Sequence, residues 1–231
     1  MTWAYNKLFG GIILLISKFL IKVNCNLKQK YNSLLKNISE INCSEIPEII
    51  NKSIILLEDK RFYQHSGFDC YSIIRAFKNN LFTKNLHGAS TIEQQLVRTI
   101  TNERKINYKR KIVEIVLATL VSNKFSKEQL LNYYLNAYSF KNCTGISELS
   151  KIENYKIDSL TIHEVSEIIS RVKYPSITDS NYIRYLKRVR LAHIEIIKAY
   201  PVLFDAANSI ENDFLLNQQI AEVSTLPPSL I

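Results

Sequence analysis

The stretch that decides the fold begins with Glu58-Asp59-Lys60-Arg61-Phe62-Tyr63-Gln64-His65-Ser66-Gly67-Phe68-Asp69. Three further motifs follow, and they read Gly88-Ala89-Ser90-Thr91-Ile92-Glu93-Gln94-Gln95-Leu96, Arg110-Lys111-Ile112-Val113-Glu114 and Ser126-Lys127-Glu128-Gln129-Leu130-Leu131-Asn132-Tyr133-Tyr134-Leu135-Asn136. Two carboxylates, Glu58 and Glu114, lie in motifs rich in Arg, Lys, Gln and Ser. This mixture indicates acid–base chemistry on a substrate that carries negative charge.

The composition around these motifs favours a helical protein. The chain has 231 residues, of which 46% are apolar, and it contains five Gly and five Pro. Because turn residues are so scarce, long sheets with many tight turns are disfavoured. We therefore predict an all-α fold, as one large domain or one domain with a tail. The four cysteines show neither metal-ligand spacing nor a disulfide framework.

The formal net charge of +9 suits a negatively charged partner, such as a phosphate ester or an anionic membrane face. The sequence shows neither zinc-finger spacing nor the aromatic-rich strand signature of RNA-binding domains, so nucleic acid is not an expected partner. The abundance of Asn, Ile and Lys leaves an alternative open, in which the charge reflects a general lysine bias rather than a dedicated basic patch.

Residues 8–21 are mostly apolar, interrupted by Lys18. About 14–16 positions fall short of the roughly 20 that cross a bilayer, although lysines beside such a stretch can snorkel to the interface. We expect residues 1–24 to form a membrane anchor or, alternatively, a buried or interfacial amphipathic helix. Lysines lie mainly after the stretch, which by the positive-inside rule disfavours an outward-facing carboxy-terminal domain.

The rest of the chain is predicted as a connector over 25–45, which is rich in Asn, Lys and Ser, a folded domain over 46–200 and a tail over 201–231. No internal repeat is present. Apolar periodicity and capping boxes predict the following helices in the domain: after Pro47, over 70–82, from Ser90 to about Thr101, over 108–124, from Ser126 to about Tyr138, from Thr161 to about Val172 and over 181–199.

Glu58 ends an apolar helical run just before a glycine-containing loop. A partly desolvated carboxylate at a cleft is usable as a general acid or base, and the structural alternative is a helix-end Glu paired with Lys60 or Arg61. Glu114 lies four residues after Arg110 on one helix face, either in a surface ion pair or across a cleft from Glu58. Two carboxylates roughly 6.5–9.5 Å apart are the arrangement of inverting glycosyl chemistry.

Structural roles are predicted for other residues of the motifs. Asp69 is expected to cap the following helix, and His65 to be a structural hydrogen-bonding group. Ser90 is expected to be the N-cap of its helix, whose free backbone N–H groups would also suit phosphate. Because Gln94 and Gln95 are adjacent on that helix, they cannot both face the core, and at least one should face a cleft or solvent.

Together, the four motifs resemble those of the peptidoglycan glycosyltransferase family (glycosyltransferase family 51), which polymerises lipid II in bifunctional penicillin-binding proteins and in monofunctional enzymes. The family pattern is similar to E-D-x-x-F-x-x-H-x-G-x-D, G-x-S-T-I-x-Q-Q-L, R-K-x-x-E and S-K-x-x-I-L-x-x-Y-L-N, and the resemblance covers residues 45–195. The chain matches it at Glu58, Asp59, Phe62, His65, Gly67, Asp69, Gly88, Ser90, Thr91, Ile92, Gln94, Gln95, Leu96, Arg110, Lys111, Glu114, Ser126, Lys127, Leu131, Tyr134, Leu135 and Asn136.

The resemblance implies a lysozyme-like fold with a membrane-facing jaw. It implies that a growing lipid-linked glycan is joined to the 4-hydroxyl of an incoming lipid II, with loss of undecaprenyl pyrophosphate. By similarity, Glu58 is the general base on the acceptor hydroxyl, and Glu114 assists at the pyrophosphate, with Mg²⁺ or Mn²⁺ as an optional cofactor and no organic cofactor. The resemblance assigns sugar and phosphate binding to Arg61, Ser90, Thr91, Gln94, Gln95, Arg98, Arg110 and Lys111, and structural roles to Asp59, Phe62, His65, Gly67, Asp69, Gly88 and Asn136.

The same resemblance places the catalytic domain on the outer face of the bacterial cytoplasmic membrane, with lipid II, the glycan chain, the membrane and cell-wall synthesis proteins as partners. The chain departs from the pattern where Arg98 replaces a usual Lys, where Ser122 replaces a usual acidic residue, and after Tyr138, where the aromatic-Gly and Tyr-Phe-Gly-Lys signatures are missing. No transpeptidase domain is expected. Two alternatives stay open: a degenerate protein that binds lipid-linked glycan or a cell-wall partner without turnover, and a glycan-cleaving enzyme with Glu58 as general acid.

Overall fold

In a computed structural model, the chain is described over residues 2–75, 90–103, 107–138 and 144–201. These ranges contain helices and no β-strand, which confirms the predicted all-α fold. The helices are α1 (Thr2–Val23), α2 (Cys25–Ser39), α3 (Glu48–Glu58), α4 (described over 70–75), α5 (Ile92–Thr101), α6 (Tyr108–Lys124), α7 (Lys127–Ala137), α8 (Ile146–Ile152), α9 (Ile162–Lys173) and α10 (Asp179–Ala199), with 3₁₀ turns at Phe62–Gln64 and Ile157–Ser159. Gly88, the rest of the helix predicted over 70–82 and the tail from residue 202 lie outside the described residues.

The chain divides into two compact units. The first comprises residues 1–44 and 58–137, and the second comprises residues 45–57 and 138–231. All four motifs, from Glu58 to Asn136, therefore belong to the first unit.

Helix α5 lies at the centre of the first unit, where it packs against α6, α7 and α2, while α6 also packs against α1 and α2. The core between them includes Leu96 of α5, Leu117 of α6 and Leu130 of α7, all almost fully buried. Because α6 has neighbours on several sides, its residues from Val116 to Val121 are all buried rather than only one stripe. This packing holds the second, third and fourth motifs together.

The segment predicted as a connector contains helix α2. Its N-cap is Asn24, whose side chain accepts a hydrogen bond from the Leu27 backbone N–H. Leu27, Leu34 and Ile38 are buried and lie on one face, a stripe narrow enough to be hidden among the polar residues of this stretch. Among the described residues, no single helix has the length and apolar composition of a membrane span, although α1 from Asn6 and α2 meet that test together, across a bend of 108°.

Two of the three predicted capping boxes are confirmed. Ser126 and Gln129 exchange hydrogen bonds at the start of α7, and Thr161 and Glu164 do the same at the start of α9. The prediction that Ser90 caps α5 is wrong by one residue. Thr91 is the N-cap, because its hydroxyl accepts the hydrogen bond from the Gln94 backbone N–H.

The second unit is built mainly from α9 and α10, with α8 against α9. Its core includes Tyr185, Leu186 and Val189 of α10, against which Tyr174 and Tyr182 pack. Helix α10 follows the long amphipathic helix predicted over 181–199 and begins two residues earlier, at Asp179.

Candidate active site

Glu58 is the last residue of α3 and is half-buried. The side-chain amide of Gln95, on α5, donates a hydrogen bond to Glu58 Oε2 over 3.3 Å. The carbonyl of the same amide accepts a hydrogen bond of 2.9 Å from the hydroxyl of Tyr134, on α7. Tyr134 is fully buried, so its hydroxyl fixes which end of the Gln95 amide points at Glu58. The carboxylate is thus positioned by two helices that pack against each other.

Glu114 lies on α6 and is surrounded by three cationic side chains. Arg98 of α5 donates from Nη2 to Oε1 over 2.9 Å and from Nε to Oε2 over 3.2 Å. Arg110, one turn before Glu114, donates to Oε2 over 2.7 Å, and Lys111 donates to Oε1 over 2.8 Å. We call Glu114 and the three cationic side chains around it the Glu114 cluster. Three positive charges and one negative charge give the cluster a net charge of +2.

The charges of the cluster set the protonation state of Glu114. Burial alone would raise the pKa of this carboxyl, but the hydrogen bonds and charges of Arg98 and Lys111 outweigh burial and hold the pKa below its ordinary value. Burial lowers the pKa of Lys111, and the ion pair with Glu114 offsets only part of that effect. Glu114 is therefore an ionised carboxylate at neutral pH.

Ser90 and Gln94 connect the Glu114 cluster to the start of α5. The Ser90 hydroxyl accepts hydrogen bonds from Arg98 Nη2 at 3.2 Å and from Lys111 Nζ at 2.9 Å. Gln94 accepts from Lys111 over 2.6 Å and donates to the Gly67 carbonyl over 3.0 Å. Gln94 is fully buried and Gln95 is half-buried, as expected for two adjacent amides of which one faces the core.

Gly67 brings the first motif into close contact with α6. Its φ of +76° lies in the region that favours glycine, and a Cβ built on it would lie 2.5 Å from the Ala118 carbonyl oxygen. The Gly67 carbonyl accepts hydrogen bonds from both Thr91 and Gln94. A glycine is therefore required here both for backbone conformation and for space.

A second, largely buried network joins the first, second and fourth motifs. His65 Nε2 lies 3.1 Å from both oxygens of Asp59, and Asp59 Oδ2 also accepts from the backbone N–H of Ile92, at the start of α5. Glu93 Oε1 pairs with Lys127 Nζ over 2.5 Å. The same oxygen lies 3.9 Å from His65 Nδ1. The network fixes the backbone next to Glu58.

Arg61, which the resemblance assigned to substrate binding, pairs with Asp69 of the same motif. Its Nε donates to Asp69 Oδ2 over 2.9 Å, its Nη2 donates to the Ser72 hydroxyl over 2.6 Å, and its guanidinium lies over the Tyr71 ring. Asp69 also accepts a hydrogen bond from the Ser72 backbone N–H. This bond makes Asp69 the cap of α4, as predicted. Burial would raise the pKa of Asp69, but the bonds from Arg61 and Ser72 outweigh it and lower that pKa.

Two other motif residues have structural contacts. Phe62 is fully buried, and the ammonium group of Lys127 lies 4.2 Å from the centre of its ring. Asn136 of α7 accepts hydrogen bonds from the backbone N–H and hydroxyl of Ser44 and donates to the Ser44 carbonyl. Phe62 and Asn136 thus hold their motifs against neighbouring parts of the first unit.

The residues around Glu114 do not fit the divalent metal ion that the resemblance allowed there. Both carboxylate oxygens already accept hydrogen bonds from cationic groups, and a net charge of +2 repels a further cation. Within the described residues, three side chains of types that can bind a metal ion come together at Asp59, His65 and Glu93. One potential ligand atom from each lies within 4.8 Å of the other two. That group is buried, and Lys127 already neutralises one of its carboxylates.

Sequence reasoning missed several residues that build the site. Glu93 was expected only as the capping-box partner of Ser90. Lys127 lies inside a recognised motif but was assigned no role, and Tyr134 was noted only as a match to a pattern. Asn6 contacts Asp69 from α1 and lies outside every motif. The sequence signal for the Glu93–Lys127 pair was the opposite charge of the two residues, one in each of two neighbouring motifs.

The comparisons with known proteins point to one family. A model of the family described as Transglycosylase matches residues 28–196. Penicillin-binding protein 1A of Rickettsia bellii is 33% identical over 175 residues, covering 72% of this chain and 22% of the relative. Penicillin-binding protein 1A of Mycobacterium tuberculosis is 35% identical over 149 residues, which cover 62% of this chain and 18% of the relative. The monofunctional glycosyltransferase of Staphylococcus epidermidis is 27% identical over 168 residues, which cover 68% of this chain and 62% of the relative. The chain spans about a fifth of the length of these penicillin-binding proteins.

Proposed function

The chain belongs to the transglycosylase family, and we propose that it is a peptidoglycan glycosyltransferase that polymerises lipid II into glycan strands. The names of its relatives support this activity, because they include a monofunctional glycosyltransferase and penicillin-binding proteins. The observation that carries the proposal is the Glu114 cluster, a partly exposed group of three cations on α5 and α6. Helix α5 also carries Gln95, which donates to Glu58.

The Glu114 cluster suits a pyrophosphate. The side chains of Arg98 and Lys111 are 35% and 33% exposed, so a ligand can reach them. Arg110 Nε is buried and has no hydrogen-bond partner among the described residues. Arg98 and Arg110 line a small cavity together with Glu114. Arginine side chains are well suited to bind phosphate oxygens.

Glu58 acts as the general base in this proposal. It takes the proton from the 4-hydroxyl of the acceptor sugar while the hydroxyl oxygen forms a bond to the anomeric carbon of the donor. The bond from that carbon to the pyrophosphate oxygen breaks, and its electron pair leaves with undecaprenyl pyrophosphate. Attack from the face opposite the leaving group inverts the anomeric configuration.

The other residues position these groups and stabilise charge. Gln95, held by Tyr134, orients the Glu58 carboxylate towards the acceptor. Arg98, Arg110 and Lys111 stabilise the negative charge that develops on the leaving pyrophosphate. Glu114 keeps the three cations together in the absence of substrate, which is the way in which it assists the departure of pyrophosphate. No step is assigned to a metal ion.

The proposal is tested with purified protein and labelled lipid II, comparing wild type, Glu58→Gln and a control variant, Glu40→Gln. Glu40 is exposed at the end of α2, so its variant should polymerise like wild type. We expect wild type to make glycan polymer and Glu58→Gln to lose at least ~10²-fold in rate, the usual contribution of a general base.

Each other outcome is decisive. Absence of polymer from wild type, under conditions where a known polymerase is active, refutes the proposed activity. If lipid II binds tightly but no product forms, the chain is a binding protein for lipid-linked glycan. Release of soluble fragments from purified cell wall would instead indicate glycan cleavage. Unchanged polymerisation by Glu58→Gln would exclude the role of Glu58 alone.

A further inference from the structure

Helix α2 brings a further cation to the small cavity at the Glu114 cluster. Besides residues of that cluster, the lining of the cavity includes Lys30 and Glu103. Lys30 lies on α2, which packs against both α5 and α6, and Glu103 follows the end of α5. Lys30 belongs to none of the four motifs, so its place in this cavity becomes visible only in the fold.

Lys30 and Glu103 form an ion pair in which Lys30 Nζ lies 2.5 Å from Glu103 Oε1. The two side chains are 39% and 40% exposed, so water screens their attraction and the pair contributes little to stability. Two adjacent phosphates carry more negative charge than one carboxylate and attract an ammonium group more strongly. Lys30 can therefore leave Glu103 for a bound pyrophosphate with little loss of free energy.

The Lys30–Glu103 pair lies where two spaces of very different size meet. The cavity at the Glu114 cluster has a volume of about 10 Å³, which is room for about one water molecule and too little for a phosphate. A groove along α2 has a volume of about 320 Å³. Lys30, Thr101 and Glu103 line both spaces. Room for a phosphate next to the cavity therefore lies on the side of the groove.

The groove, which we call the α2 groove, is lined mainly by uncharged polar side chains. Four of them recur every three or four residues on one face of α2, namely Asn26, Gln29, Ser33 and Asn37. Amides and hydroxyls can donate hydrogen bonds to phosphate oxygens. Among the described residues that line the groove, Glu103 is the one acidic side chain. Glu103 is thus the group that opposes an anion at this place.

We propose that Lys30 is a fourth cation of the pyrophosphate site, and that Glu103 holds it in place until the anion binds. When a phosphate enters from the α2 groove, Lys30 exchanges the Glu103 carboxylate for phosphate oxygens, and the small cavity opens towards the groove. This inference rests on the proposed function, because the anion is the pyrophosphate of the lipid-linked substrate. It adds a binding residue from a helix that carries none of the motifs.

The exchange gives the two members of one ion pair opposite effects on binding. Replacing Lys30 removes a donor to phosphate, whereas replacing Glu103 removes the group that competes with phosphate for Lys30. An ion pair with only a structural role behaves differently, because loss of either partner breaks the same contact. The signs of the two effects therefore distinguish a binding role of Lys30 from a structural one.

The test is isothermal titration calorimetry of the whole chain with inorganic pyrophosphate, without divalent metal ions, on wild type, Lys30→Gln and Glu103→Gln. The matched controls are Lys36→Gln and Glu40→Gln, which alter an exposed ion pair at the end of the same helix. Each control changes the net charge as its counterpart does, so it corrects for the general attraction between a basic protein and an anion. Far-UV circular dichroism verifies folding, and each preparation is also assayed for polymerisation of labelled lipid II.

We expect Lys30→Gln to bind pyrophosphate about 10-fold more weakly than Lys36→Gln, because it lacks one partly exposed, charge-assisted hydrogen bond. Glu103→Gln should bind about 2- to 5-fold more tightly than Glu40→Gln, since the pair that it removes is partly exposed and weak.

Equal binding by Lys30→Gln and Lys36→Gln, or weaker binding by Glu103→Gln than by Glu40→Gln, overturns the inference, and polymerisation by wild type then leaves the proposed function intact. If wild type binds no pyrophosphate, the inference fails together with the phosphate site. If the expected binding pattern is found but wild type makes no polymer, the role of Lys30 in anion binding holds and the proposed activity is refuted.

Discussion

The Gln95 side-chain amide donates a hydrogen bond to the Glu58 carboxylate over 3.3 Å, and this contact joins the first two motifs of the chain. The two residues are separated by 37 positions in the sequence. Gln95 can hold this orientation because Tyr134 donates to its carbonyl oxygen. The proposed base is thus positioned by a chain of three side chains from three different helices.

Tyr134→Phe should lower the polymerisation rate by up to ~10-fold, because one buried hydrogen bond contributes ~1 kcal/mol. The loss should be in kcat rather than in KM for lipid II, since Tyr134 positions Gln95 and is not proposed to contact the donor. Steady-state kinetics with labelled lipid II would measure both constants. The matched control is Tyr133→Phe, whose ring packs against Phe125, and it should retain wild-type kcat. An equal loss of kcat in the two variants would contradict the positioning role.

Lys127→Met should lower the free energy of unfolding by about 3–5 kcal/mol, because it leaves the Glu93 carboxylate buried without its partner. Adding Glu93→Gln to Lys127→Met should restore much of that loss, since the double variant no longer buries an unpaired charge. Urea unfolding followed by circular dichroism measures these differences. Lys124→Met, at an exposed position of α6, should change stability by less than ~0.5 kcal/mol. Additive effects of Lys127→Met and Glu93→Gln would mean that the two residues are not coupled.

Gly67→Ala should destabilise the protein by about 2–5 kcal/mol. A positive φ costs a non-glycine residue roughly 1–3 kcal/mol, and the close approach to the Ala118 carbonyl adds strain. Gly11→Ala is the control, because a Cβ at Gly11 meets nothing within 4 Å. Alanine within the helix should there stabilise by about 0.5–1 kcal/mol. Thermal unfolding of the two variants measures both effects, and similar melting temperatures would show that the loop at Gly67 relaxes.

Local signals in the sequence predicted the helices well. Capping boxes such as Thr161 with Glu164 depend on residues three positions apart, so they are visible without knowledge of the fold. The start of α5 was missed by one residue because Ser90 and Thr91 are both good N-caps, and only the position of the helix decides between them. Helix α2 was missed because its polar residues far outnumber its three buried apolar ones.

The contacts of the candidate site were less predictable than its members. The motifs supplied Glu58, Glu114 and Gln95, but not the pairing of Arg98 with Glu114 across 16 positions. Nor did they supply the pairing of Arg61 with Asp69, two residues that the turn at Phe62–Gln64 brings together. Such pairings depend on how helices pack, and packing leaves little trace in the spacing of single residues.

Glu114→Gln should destabilise the protein at neutral pH by about 2–3 kcal/mol, because three cations lose the carboxylate between them. The loss should lie below the ~3–5 kcal/mol of a fully buried pair, since solvent reaches Arg98 and Lys111.

The pKa of Glu114 in the folded protein lies below its ordinary value of 4.5. Its stabilisation is therefore complete above about pH 5 and disappears as the pH falls through the lowered pKa. Melting temperatures of wild type and Glu114→Gln, measured from pH 7 to pH 3, should differ by a constant amount down to about pH 5 and then converge. Glu48→Gln, which removes an exposed ion pair with Lys52, should match wild type throughout, and a Glu114→Gln difference that grows in acid would contradict the ionised state of Glu114.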